Sequence, residues 1–174
     1  MRKSLTLAAA GAIALAGCAQ LGMPGLAVPT AGDMTPESRA AYLAMAASSD
    51  LYEIQSGQMA AQRAQNMSLR PFGQMLAAHH TQTTQQLAAA AQASGGMPPP
   101  LLLPMHQQML AQLQSASGSG FDRLFVNQQV TAHEMALALH RNYASAGDTP
   151  ALRQTAAAAV PIITQHLQQA RQLS

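Results

Sequence analysis

Four side chains carry the metal-binding chemistry that this sequence can offer: Glu53, His80, His133 and His166. Each falls in a different long segment of helical composition, and each shares a stripe with apolar or small residues at helical spacing. Glu53 lines up with Tyr42, Ala46, Gly57, Ala60 and Ala64, and His80 with Leu76, Ala77, Thr84, Leu87 and Ala91. His133 lies with Val126, Val130, Leu137 and Ala144, and Asp122, Gln129 and His140 fall on the same stripe. His166 lies with Leu152, Ala159, Ile162, Ile163 and Ala170. One carboxylate and three imidazoles suit a single Zn, Cu, Fe or Mn ion better than Ca or Mg, which take oxygen ligands. The same residues could instead hydrogen-bond to one another and to Gln129 or Thr84, fixing helix register without a metal. Both readings are open at this level.

Other groups read as less involved. His79 is turned about 100° from His80 on a helix and, with His106 and His140, reads as a surface or edge histidine. The methionines, among them Met45, Met59, Met75, Met105, Met109 and Met135, are scattered along the chain and read as core filler. Arg63, Arg70, Arg141, Arg153 and Arg171 read as solvated helix faces. The chain has no Gly-rich phosphate loop, nucleophile elbow or zincin histidine pair. It has no Glu-x-x-His either, so the di-iron carboxylate pattern is missing. No residue is assigned to catalysis, and a non-catalytic domain is expected, with a metal-dependent enzyme or sensor and a metal-free partner-binding module as the alternatives.

The elements that must position these residues are marked by their ends. Thr35-Pro36-Glu37 predicts a helix start, and that helix runs to about residue 66. A second helix follows from Ser68 to Ala93, where Ser94-Gly95-Gly96 and then Pro98-Pro99-Pro100 stop it. A short amphipathic piece over 104–116 lies in the crossover, a third long helix spans 121–146, and a fourth runs from 150 to about 172. Pro161 falls inside the last and predicts a kink. Two helical hairpins joined by a long crossover predict an all-α, ferritin-like four-helix bundle with a short extra helix.

The N-terminus predicts where that bundle resides. Arg2 and Lys3 precede an apolar run over residues 5–16, too short to span a bilayer, and Leu15-Ala16-Gly17-Cys18 closes it. This pattern resembles a bacterial lipobox. Residues 1–17 read as a lipoprotein signal peptide, Cys18 as the lipidated first residue, 18–34 as a Gly/Pro/Ala tether, and 35–174 as the folded domain. The expected location is the cell envelope, facing the periplasm, on the outer rather than the inner membrane. Cys18 is the only cysteine, so no disulfide or thiol redox chemistry is expected. From residue 18 onward seven arginines meet seven carboxylates with no lysine, a balance that offers nucleic acid no basic footprint. The expected membrane contact is through the lipid alone, and the sequence names no protein partner.

Several short motifs occur in a fixed order: Asp50-Leu51-Tyr52-Glu53-Ile54-Gln55-Ser56-Gly57, Phe72 with His80-Thr81, Phe121-Asp122 with Gln129 and His133, and Pro161 with His166-Leu167. On these residues the chain resembles the bacterial family catalogued as domain of unknown function 4142, over about residues 36–173. The resemblance implies an exported ferritin-like bundle and no settled activity. His79 stands where that family commonly has Asp, and Phe125 where it often has Tyr.

Overall fold

The computed structural model describes residues 36–174. The proposed signal peptide, the tether, Cys18 and the capping residue Thr35 lie outside them. Five helices follow in order: α1 (Arg39–Arg63), α2 (Leu69–Ala93), α3 (Pro104–Ser115), α4 (Gly118–Ala146) and α5 (Pro150–Gln172). The four long helices form a bundle in which α1 packs on α2 and α4 on α5, with α1 against α4 and α2 against α5 closing the ring. α3 lies in the crossover and rests on α1 and α4. The all-α bundle and its crossover helix are as the sequence predicts.

Both ends of the first helix differ from the expected ones, for visible reasons, and α4 begins at Gly118 rather than at 121. The first helix begins at Arg39 rather than at Pro36, with Ser38 as its cap, accepting from the Ala41 N–H at 3.4 Å. The Glu37 carbonyl is taken instead by the Asp148 N–H (2.9 Å), and the Arg39 N–H donates to Asp148 Oδ2 (2.9 Å), tying this end to the α4–α5 turn. At the other end α1 stops at Arg63 because Asp122, on α4, accepts the N–H groups of Gln65 and Asn66 at 3.1 and 2.8 Å. α5 is one continuous helix through Pro161, whose ring sits at an exposed position.

The apolar core divides into two main parts. Tyr42, Leu43, Leu87, Leu139, Tyr143 and Leu152 fill one end of the bundle, where Tyr42 and Tyr143 stack with centroids 3.8 Å apart. Leu69, Phe72, Leu76, Leu113, Phe121 and Phe125 fill the other. Along every long helix the buried polar residues fall between these plugs: Asp50, Glu53 and Ser56 on α1, His80 on α2, Gln128, Gln129 and His133 on α4, and His166 on α5.

The relative height of α1 and α2 is set where their backbones touch. A Cβ built on Gly57 would lie 2.6 Å from the Gly73 carbonyl oxygen, and one on Gly73 would lie 2.5 Å from the Gly57 oxygen. Neither obstacle is a side chain that can swing away. Overpacking of this kind costs about 1–3 kcal/mol, against a helix-propensity gain of up to about 1 kcal/mol for Gly to Ala. Gly73→Ala is therefore expected to lower the urea midpoint despite the better helix former. A raised midpoint would show that the two helices can part at no cost.

Candidate metal centre

Three histidines from three helices converge in the polar layer. His80 (α2), His133 (α4) and His166 (α5) are all buried, and one ring nitrogen from each lies within 4.8 Å of the other two. The nitrogens that find no hydrogen-bond partner are His80 Nε2, His133 Nε2 and His166 Nδ1.

The opposite nitrogen of each ring is engaged. His80 Nδ1 lies 2.8 Å from Asp50 Oδ1, and that carboxylate also accepts from the Thr83 hydroxyl (2.9 Å) and the Thr84 hydroxyl (3.3 Å). His133 Nδ1 lies 2.9 Å from the Gln129 backbone carbonyl. A carboxylate and a carbonyl can only accept, so both rings carry a proton on Nδ1 and, when neutral, a bare lone pair on Nε2. His166 Nε2 lies 2.9 Å from His79 Nδ1, with the two rings stacked at 5.1 Å. If His166 donates to His79, its Nδ1 lone pair completes the set. Three lone pairs then face one another, and each needs something positive between them.

Glu53 stands beside this group. Its Oε1 is 3.6 Å from His133 Nδ1, on the outer side of that ring, and its Oε2 is buried without a partner. The Gln129 side chain, which donates to the Ser56 hydroxyl at 3.0 Å, leaves its own Oε1 unpaired. Burial pushes the Glu53 carboxyl up to about 7, only partly offset by the charge of His80 and a hydrogen bond from Gln129. Burial also works to lower His80, but its hydrogen bond to Asp50 and the charges of Asp50 and Glu53 outweigh it and hold the pKa above the ordinary imidazole value.

The structure thus brings His80, His133 and His166 together and places Glu53 at their flank. Of the three histidines expected at the surface or an edge, only His106 is buried, but all three have partners. His79 is exposed, yet it is the hydrogen-bond partner of His166. His106 is buried against Tyr52, its Nδ1 2.6 Å from the Ser48 hydroxyl oxygen. His140 is half-buried and pairs with the Tyr42 hydroxyl at 3.1 Å. Four of the arginines read as solvated also have partners, among them Arg171, which pairs with Glu134 at 2.7 Å. Arg63 donates to the carbonyls of Leu113, Gln114 and Ala116 at the end of α3, while Arg70 and Arg153 donate to Ala64 and Gly147. Asp50 is the residue that sequence reasoning passed over. Its signal was its place one helical turn before Glu53, with Thr83 and Thr84 one turn after His80 on the facing helix.

A pH dependence follows from the burial of these rings. Burial lowers His133 and His166 to about 3, helped by the neighbouring charge of His80, and lowers His106 and His140 to about 4. Unfolded, each returns to its ordinary value of 6.5, so below that pH the unfolded chain binds more protons than the folded one. The stability tied to these four groups is complete above 6.5 and is lost as pH falls toward 4 and 3. Glu53 and His80, both raised, act in the opposite sense: Glu53 contributes fully below 4.5 and loses its contribution as pH rises through 7. Four groups outweigh two. The urea midpoint of the metal-free chain is expected to drop between pH 6.5 and 4, and a flat profile would show that the rings are solvated.

Comparison with known proteins places the bundle among its relatives. Three solved structures share the fold. The structure titled CopM in the Cu(II)-bound form has a TM-score of 0.65 at 18% identity, covering 78% of this chain and 94% of that one. CopM in the Ag-bound form, obtained by co-crystallization, has a TM-score of 0.63 at 18% identity, covering 78% and 93%. CopM in the Cu(I)-bound form has a TM-score of 0.63 at 19% identity, covering 76% and 92%. No curated protein matches this chain in sequence. Residues 25–173 match the family described as domain of unknown function (DUF4142), and the chain belongs to that family.

Proposed function

We propose that this protein is a lipid-anchored envelope protein whose helical domain holds one transition-metal ion at His80, His133 and His166. One observation carries this reading. Three buried imidazoles bring one ring nitrogen apiece within 4.8 Å of one another, and each ring has one unpartnered nitrogen while its other nitrogen is hydrogen-bonded. Hydrogen bonds on the far nitrogens orient metal-binding histidines and raise their basicity. The donor set fits a transition metal: imidazole suits Cu, Zn, Fe and Ni, and among divalent ions copper binds such a site most tightly. The likeness of the fold to CopM structures with Cu(II), Cu(I) and Ag supports copper as the leading ion. Glu53 supplies the buried negative charge that a cation between three neutral rings needs, and the cation in turn would hold Glu53 ionised.

Holding the ion, rather than turning over a substrate, is the reading that the surroundings favour. The cavity beside the centre, which Asp50, His80 and His140 line but His133 and His166 do not, has a volume of about 20 Å³, enough for a water and little more. The lipid anchor rests on Leu15-Ala16-Gly17-Cys18. Among the described residues no helix is long and apolar enough to cross a membrane.

Metal content tests the centre. Full-length chain purified without a histidine tag is expected to carry about one equivalent of one transition metal by elemental mass spectrometry. His80→Ala and His133→Ala should lose it while keeping the helical circular dichroism. Asp50→Asn and His79→Ala should weaken binding by about 10–100-fold, less than loss of a ring. A chain that stays blank after incubation with Cu, Zn, Fe(II) and Mn would overturn the reading. For the anchor, mass spectrometry of the mature N-terminus is expected to show an acylated Cys18, and Cys18→Ser should leave the membrane fraction. Unchanged acylation elsewhere in that variant would sink the lipobox assignment.

A further inference from the structure

A second group of metal-binding donors lies away from the histidine centre, where α3 crosses α4. Met105 and Met109 stand one turn apart on α3, Met135 comes from α4, and all three are half-buried and line one open groove. Met109 packs against Tyr52, Leu110 and Ala132 on its inner side while lining the groove with Met105 and Met135. Gln112, Asn127, Gln128 and Thr131 complete the lining of the groove. Its frame is fixed, because the Gln128 side-chain amide donates to the Met109 carbonyl (3.1 Å) and to Gln112 Oε1 (2.9 Å). Met105 and Met135 also line a second, smaller cavity, together with Met45 and His106. These two methionines therefore line both the groove and the cavity that the buried His106 borders.

We propose that Met105, Met109 and Met135 form a second metal site, for a soft monovalent cation of the Cu(I) or Ag(I) class, with the His106 imidazole as its inner donor. Neutral thioethers repay poorly the dehydration of a hard divalent ion, whereas soft thioether donors select Cu(I). The three methionines are separated by as many as thirty positions in the sequence, and only the packing of the crossover helix on α4 gathers them. This site does not depend on the histidine centre.

The test uses the full-length chain with methyl-labelled methionine, titrated with Ag(I) and followed by NMR and native mass spectrometry. The methyl signals of Met105, Met109 and Met135 should shift and saturate near one equivalent. Met67 and Met97, each 68% exposed, serve as internal controls and should move only in excess. Zn(II) should leave all five unchanged. The triple variant Met105→Leu/Met109→Leu/Met135→Leu conserves volume and should lose one bound Ag(I); any ion in the histidine centre should survive it and be lost instead in His80→Ala. Parallel movement of Met67 and Met97, or an unchanged silver count in the triple variant, would overturn the proposal. Loss of silver in the triple variant but not in His80→Ala would uphold this site while counting against silver at the histidine centre.

Discussion

The structure depends on how it satisfies the three buried imidazoles of His80, His133 and His166, each of which keeps one nitrogen without a protein partner. Leaving a buried polar group unpaired costs about 1–3 kcal/mol, and this layer holds five such atoms, on Glu53, His80, Gln129, His133 and His166. Their combined burden rivals the whole stability of a small domain, about 5–15 kcal/mol. A cation between the rings would relieve several of these atoms together, and a proton on His80 is the smallest one available. The outward hydrogen bonds of His80 and His133 prevent the other solution, in which the rings rotate to use their second nitrogens. The protein has fixed the donors and left their complement to be supplied.

The rest of the bundle serves that arrangement. The apolar plugs around Tyr42–Tyr143 and around Phe72–Phe121–Phe125 close the two ends of the polar layer. The contact between Gly57 and Gly73 brings α1 close enough to α2 for Asp50 to reach His80 at 2.8 Å. A larger residue at either glycine would move the carboxylate away from the ring it orients. Asp50 is itself held by two threonine hydroxyls from α2, so the ring, its partner and that partner's supports come from one helix pair.

Much of this was legible in the residues because helical periodicity decides which side chains turn inward. The stripe through Tyr42, Ala46, Glu53, Gly57, Ala60 and Ala64 is buried as expected, and so are His80, His133 and His166. Periodicity gives direction around a helix but no relation between helices. It could not show that Glu53 lies at the outer side of the His133 ring, or that His79, at the edge of α2, reaches His166 on α5. His106 was misread because the orientation of the short α3 is set by packing; its stripe with Leu110 and Leu113 was the available signal. The methionines looked scattered for the same reason, since their neighbourhood is created by the crossover. The early end of α1 depended on Asp122, more than fifty residues away in sequence, and no local pattern announces such a cap.

The ligands are divided between the two helical hairpins: His80 comes from the α1–α2 pair, and His133 and His166 from the α4–α5 pair. Each hairpin is closed by a short turn and can form from local contacts, whereas docking one on the other must also order the long crossover. The cluster is therefore complete only when the two hairpins are docked, and either hairpin alone holds two of the rings at most. An ion bridging the three would act as a removable cross-link between the halves, deepening the docked state by RT ln(1 + [L]/Kd). Metal availability would then set how long the two halves stay together, making the bundle's lifetime a record of the ions around it.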